Sequence, residues 1–243
     1  MLYKNVMVSL KPEHYLSRRS VDRFKLFTII LDKKAPVRDQ SIHKSAYCKV
    51  KRGIDILGAI VGLFITAIIY VPLGIAIKLD SPGPIFYSQT RCGLKGKKFQ
   101  IWKFRSMDMD AEHKQHLVKN QAQGHIFKND RDPRITRIGR LIRKTSLDEF
   151  PQFWNVLRGD MSLVGTRPPT LTEVAKYNDY HRLRLNVKPG ITGEWQVKGR
   201  SCVCDFEQVV QLDLAYQKKW SLAYDLLLIW KTVQIVFKCK GAY

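Results

Sequence analysis

The chain has 243 residues, 45% of them hydrophobic, which excludes a wholly disordered polypeptide and predicts one domain with a real core plus extensions. Lys and Arg number 42 against 21 Asp and Glu, a formal net charge of +21, so the expected partner is anionic: nucleic acid, lipid headgroups or a phosphorylated substrate. Cys48, Cys92, Cys202, Cys204 and Cys239 are odd in number and match no common disulfide or zinc spacing; they read as reduced thiols, with Cys202-Val203-Cys204 a weak metal hint.

In chain order, residues 1–48 form a basic arm. Through Arg52 there are 13 Lys and Arg against 4 Asp and Glu, and only Phe24–Leu31 is apolar enough to pack, as part of a partly ordered arm or as a membrane-surface helix. The first long apolar run begins after residue 53, so a cleavable leader is not expected. Ile56–Ile77 is 22 residues without a charge, long enough for a bilayer and without the polar face a soluble helix would carry. Both flanks are basic, with Lys49, Lys51 and Arg52 before it and Lys78, Arg91 and Lys95 after it, so charge gives no direction for a crossing. Pro72 interrupts the run, leaving Ile56–Val71, roughly 24 Å of helix, short of a hydrocarbon core of about 30 Å. A broken helix returning to the same face and a single crossing both fit these observations.

Beyond the Ser81-Pro82-Gly83-Pro84 turn the chain is soluble in character. Short strands are predicted at Ile85–Gln89 and Phe99–Phe104, around a Gly93–Gly96 turn, and a polar helix at Asp108–Lys119. Further helices are predicted at Arg137–Lys144, Pro151–Leu157 (stopped by Gly159), Leu171–Leu185, Phe206–Lys219 and Asp225–Lys238. The last carries Trp230 and suits either a core or a membrane interface. The class is α+β, predominantly helical: arm 1–48, membrane helix 49–80, and a cytoplasmic domain 81–243.

The chemistry concentrates between Arg131 and Glu149. Arginines at 131, 134, 137, 140 and 143 recur every third residue, which on a helix places neighbours on roughly one side. Guanidinium groups grip phosphate through paired hydrogen bonds, although some of the five suit a face resting on lipid headgroups. Asp148 and Glu149 follow, near an expected helix start: Ser146 with Glu149 fits a capping box, while Pro151 favours a start two or three residues later. An acidic pair in a first turn commonly does no more than offset the helix dipole. This one stands between the arginine series and Arg167, in the Gly/Pro-rich run Gly159–Pro168.

The stretches KRGIDILGAIVGL (51–63), SPGPIFYSQTRCGLKGKKFQIWKFRSMDMDAE (81–112), TRIGRLIRKTSLDEFPQFWNVLRGDMSLVGTRPP (136–169), VKPGITGEWQVKGR (187–200) and YQKKWSLAYDLLLIWKT (216–232) resemble, in order, the bacterial sugar transferase family, the monotopic polyprenyl-phosphate phosphoglycosyl transferases. The resemblance implies a proline-broken re-entrant helix with its break at Pro72, interfacial helices, and a location on the cytoplasmic face of the bacterial inner membrane. It implies transfer of a sugar 1-phosphate from a nucleotide sugar, here a UDP-sugar, to polyprenyl (undecaprenyl) phosphate, initiating polysaccharide synthesis. Asp148 matches the family's nucleophile, which would carry the sugar phosphate while nucleoside monophosphate leaves, and Glu149 is its dyad partner. A magnesium ion is implied, with Asp148 or Glu149 as its contact. Lys103, Arg105, Arg143, Arg167, Gln196 and Arg200 match motif positions near substrate, the last two being equally suited to fold support.

The chain departs from the family pattern at Thr166, where Gly-Pro-Arg-Pro is usual, and at Phe150, where Leu is usual. It resembles a compact form, since larger members place membrane helices ahead of this core. A transferase moving only the sugar, and a membrane-anchored basic adaptor without catalysis, are the competing classes. Nucleic acid is not an expected partner, for want of a recognition motif, and a homo-oligomer is left open.

Overall fold

The computed structural model describes residues 41–199 and 203–237. The Phe24–Leu31 segment, Arg200, Cys202 and Cys239 lie outside the described residues. Helix α1, Lys49–Asp80, is the longest element. A hairpin of β1, Phe86–Cys92, and β2, Lys98–Phe104, follows. Next come α2, Arg137–Lys144, a single 3-10 turn at Leu147–Glu149, α3, Gln152–Arg158, and β3, Ser162–Val164. Helices α4, Leu171–Ala175, and α5, Asp179–Arg182, precede β4, Gly190–Thr192. The last described elements are α6, Glu194–Gly199, α7, Phe206–Lys219, and α8, Leu222–Phe237. The described residues are therefore α+β and mostly helical, with two small sheets: β1 antiparallel to β2, and β3 parallel to β4.

Helix α1 is long and apolar enough to cross a membrane. Its 32 residues are helical on both sides of Pro72, which lies inside the helix. One stripe, Lys51, Asp55, Ala59, Gly62, Thr66, Gly74 and Ile77, is buried against the rest of the protein. The opposite face leaves Leu57, Phe64, Ile68, Val71 and Ile75 exposed, a continuous apolar surface of a kind soluble monomers seldom show. Contact runs the length of the helix. At its start, Lys51 donates to Asp225 (2.6 Å) and Asp55 accepts from Ser162 and the Leu163 amide (both 2.9 Å). At mid-helix Gly62 lies under the Phe153 ring, where a Cβ would come within 2.3 Å of ring carbon. Tyr70 then stacks on Phe86 at 5.6 Å, and Ile77 joins Phe104 and Ile142 in a buried cluster.

The hairpin forms where strand-like residues flank a tight Gly93–Gly96 turn, with Tyr87 opposite Lys103 and Arg91 opposite Phe99. Helix α3 starts after Pro151 and stops at Gly159, whose φ of 87° suits a residue without a Cβ. Arg52 of α1 donates to the final carbonyls of α3, Val156 and Leu157, both at 2.7 Å. The expected Leu171–Leu185 helix is three short pieces, because Thr170 with Glu173 and Asn178 with His181 each form a capping box that starts a new helix. The expected polar helix at Asp108–Lys119 reduces to a 3-10 turn, His113–Leu117. Helix α8 resolves the choice between core and interface by dividing its faces: Leu228 and Asp225 are buried, while Leu226, Trp230 and Val233 are exposed.

Candidate active site

The dyad sits in the short 3-10 helix Leu147–Glu149 between α2 and α3, just ahead of the start of α3. Ser146 adopts a left-handed conformation with φ of 58°, uncommon for a residue with a Cβ, and this bend redirects the chain from α2 into the turn. Asp148 is buried, and Glu149 is somewhat more open. Strand β2 brings Lys103 to both: its ammonium lies 3.3 Å from Glu149 Oε1 and 3.9 Å from Asp148 Oδ2.

These residues line one cleft with Arg91, Lys128, Arg143, Gln152, Arg167, Trp195 and Gln196. Helix α2 places Arg143 at its last turn. The loop after β3 carries Arg167, whose Nη1 donates to Glu173 at 3.2 Å. Arg91, at the far end of β1, donates Nη1 to the Pro168 carbonyl at 3.1 Å, and the neighbouring Cys92 amide donates to Pro169. Burial, and then the Arg167 guanidinium, push Arg91 down to about 10, which leaves it a cation at neutral pH. Burial alone would raise Glu173, yet Arg167, the Thr170 amide, Arg91 and Arg184 outweigh it and hold the carboxyl below its ordinary range. Lining the cleft are five cationic side chains, Arg91, Lys103, Lys128, Arg143 and Arg167, with the carboxylates Asp148 and Glu149. A cleft with a net positive charge attracts phosphate and focuses its approach.

Of the residues singled out from the sequence, Lys103, Arg143, Asp148, Glu149, Arg167 and Gln196 converge here. Arg105 does not. It is buried under the loop that follows α1, donating to the Pro82 carbonyl and, at 2.7 Å, to that of Ser81. The arginine series does not form one face either, because α2 begins only at Arg137. Arg134 is buried in a two-pronged pair with Asp132 at 2.6 and 2.9 Å. Thr166, the departure before Arg167, is buried and donates its hydroxyl to the Arg184 carbonyl at 3.3 Å. Phe150 packs into the cluster of Ile77, Phe104 and Ile142. Cys204 accepts from Lys128 at 3.5 Å. Sequence reasoning missed Arg91, Lys128, Gln152 and Trp195 as cleft residues. Arg91 had a usable signal: on an alternating strand it shares a face with Gln89 and Tyr87, and Tyr87 is paired with Lys103.

Residues 46–239 match the family described as bacterial sugar transferase. The chain belongs to the bacterial sugar transferase family. It is 44% identical over 240 residues to "Galactosyl transferase CpsE" of Streptococcus agalactiae, covering 98% of this chain and 52% of that protein. It is 40% identical over 201 residues to the "UDP-glucose:undecaprenyl-phosphate glucose-1-phosphate transferase" of Escherichia coli, covering 80% and 41%. It is 35% identical over 199 residues to "Exopolysaccharide production protein ExoY" of Sinorhizobium fredii, covering 79% and 88%. Among these bacterial sugar transferases, the chain spans about half the length of the first and most of the length of the last.

Proposed function

We propose that this chain transfers a sugar 1-phosphate from a UDP-sugar to undecaprenyl phosphate at a membrane surface, through a covalent sugar-phosphate on Asp148. The observation that carries the reading is the buried Asp148, set with Glu149 among Lys103, Arg143, Arg167 and Arg91, on a domain that packs lengthwise against an apolar helix. The relatives support the substrate classes: the Escherichia coli protein's name states a UDP-sugar donor, an undecaprenyl-phosphate acceptor and transfer of the sugar 1-phosphate.

The chemistry follows from the charges. An Asp148 carboxylate oxygen attacks the sugar-linked phosphorus; the bond to the second phosphate breaks, and UMP leaves with the electron pair. An oxygen of undecaprenyl phosphate then attacks the same phosphorus and the Asp148 carboxylate departs, so the nucleophile is regenerated without net proton transfer. In both steps two anions meet, and the work of the protein is positioning and neutralisation. Lys103 and the arginines supply the neutralising charge, while Glu149 shares Lys103 with Asp148 and restrains its ammonium. Magnesium is commonly bound through one or two carboxylates completed by substrate phosphates. Asp148 and Glu149, side by side in the cleft lining, make such a donor pair. Bound there, magnesium would offset charge on the phosphate oxygens.

The membrane reading extends to topology. We infer that both ends of α1 lie at the cytoplasmic face of the inner membrane, with its exposed apolar face in lipid. The support is that each end of the helix is tied to the same domain, Lys51 to Asp225 at one end and Ile77 to Phe104 and Ile142 at the other.

The test is incubation with undecaprenyl phosphate, magnesium and a panel of UDP-sugars while the released nucleotide is identified. UMP is expected; release of UDP would instead identify transfer of the sugar alone, and no turnover of any UDP-sugar would leave a non-catalytic adaptor. Asp148→Asn is expected to lose at least about a thousandfold in turnover while retaining its melting midpoint and membrane association. Near-normal turnover in that variant would remove Asp148 from the nucleophile's role.

A further inference from the structure

The cleft has two ends with different roots. The dyad end, with Arg143, is built on the cluster in which Ile142 and Phe150 pack on Ile77 of the membrane helix. At the other end Trp195 packs on Ile126, Tyr177, Phe206 and Val209, a cluster of buried residues containing none of α1. The hairpin register measures their separation. Lys103 faces Tyr87 and Arg91 faces Phe99, so the backbones of the two cations lie four residues apart along the ladder, about 13 Å, and both side chains reach into the one cleft.

Arg91 and Arg167 form the cationic part of the second end. Two guanidinium groups share one buried carboxylate, Glu173, which bonds Arg167 and interacts with both. Arg91 donates to one carbonyl, and its buried Nε has no hydrogen-bond partner within the protein. The two guanidinium groups repel one another, Glu173 and Glu149 offset part of that charge, and a bound phosphate would offset more. Beside them is flat apolar surface: the Arg167 guanidinium lies over the Trp195 ring at 5.9 Å, and Phe127 and Pro168 line the same cleft.

We propose that the Arg91–Arg167 end is the nucleotide end of the cleft, where the paired guanidinium groups hold the phosphate that leaves as nucleoside monophosphate and Trp195 carries the base, while the lipid phosphate enters from the Arg143 side. This rests on the transfer reaction proposed above and assigns a direction within it. It gives Arg91 a role in binding the leaving group, and it places the acceptor where an isoprenoid chain can stay in the lipid beside α1.

The test uses the full chain in detergent or lipid discs, with UMP and uridine as probes. Arg91→Lys keeps the charge and removes the fork. It is expected to weaken UMP, measured as a product inhibitor or by titration, by about 10-fold to 100-fold. It should leave uridine, which has no phosphate, and the KM for undecaprenyl phosphate within about twofold. If UMP binding is unchanged, or if the KM for undecaprenyl phosphate rises instead, the assignment is wrong. Should Arg91→Lys lower the melting midpoint too far to be assayed, Trp195→Ala tests the same end: UMP and uridine should weaken together with the lipid KM unmoved, and the opposite pattern overturns the proposal. Failure of the transfer reaction itself is separate, because the wild-type protein would then release no UMP from any UDP-sugar.

Discussion

Arg105 and Lys103 stand two positions apart in the motif KFRSM, and an extended strand would send both to one side. The Arg105 amide still donates to the Ile85 carbonyl at 2.8 Å, but two residues further along the strand its side chain meets the loop after α1 and is held by the carbonyls of Ser81 and Pro82. Arg105→Gln is therefore expected to lower stability by about 1–3 kcal/mol, read from denaturant midpoints, with the KM for UDP-sugar within about twofold. A KM shift of tenfold with unchanged stability would return Arg105 to the substrate site. Glu173 makes a second prediction. Its carboxyl is held below the ordinary range, so its contribution is present above the unfolded-state pKa and is lost as pH falls through the folded value. Between about pH 5 and about pH 3 the wild-type melting midpoint should fall further than that of Glu173→Gln; parallel curves would show that the carboxylate's charge does not matter to the fold. That Asp148, Glu149, Arg143 and Arg167 would come together in one cleft could be expected from the sequence because their motifs are contiguous. Arg91 was not, because its importance arises where β1 meets the Pro168 loop, 77 residues away.

At the scale of elements, the helices Arg137–Lys144 and Phe206–Lys219 were predictable to the residue, since caps at Thr136 and Asp205 and the apolar period act within a single turn. Strands β3 and β4 left no such trace. Three residues each, paired across the intervening chain as Ser162 with Gly190 and Val164 with Thr192, are too short for a period and exist only as a pair. The contact of α1 with α3 depends on the missing side chain at Gly62. Gly62→Ala would drive a methyl into the Phe153 ring and is expected to cost about 1–3 kcal/mol through overpacking, measured by thermal denaturation in detergent. Trimming the partner as Phe153→Leu in the same chain should recover part of it; no loss in the single variant would mean the two helices separate freely.

For the whole molecule the decisive feature is that α1 lies along its domain instead of projecting from it. Its 32 residues measure about 48 Å along the helix path, more than a hydrocarbon thickness of about 30 Å, and its buried stripe continues from Lys51 to Ile77. A perpendicular crossing would carry α3 and the buried pair of Lys51 with Asp225 into lipid, against the cost of burying charge there. Cysteines introduced at Lys49 and Ser88, both exposed, in a background without native cysteines should both resist an impermeant maleimide in intact spheroplasts and both react after lysis. Labelling of one alone from outside would establish a crossing.

By itself the sequence determined that an apolar helix meets a basic domain carrying an acidic pair, because apolar run length, charge and motif order are properties of neighbours along the chain. The tertiary structure decided which cations reach that pair, that Arg105 does not, and that the helix lies flat against its domain. Those outcomes depend on strand register and on partners as distant as Lys51 and Asp225, 174 residues apart, whose meeting is set by how the core packs and not by anything local to either.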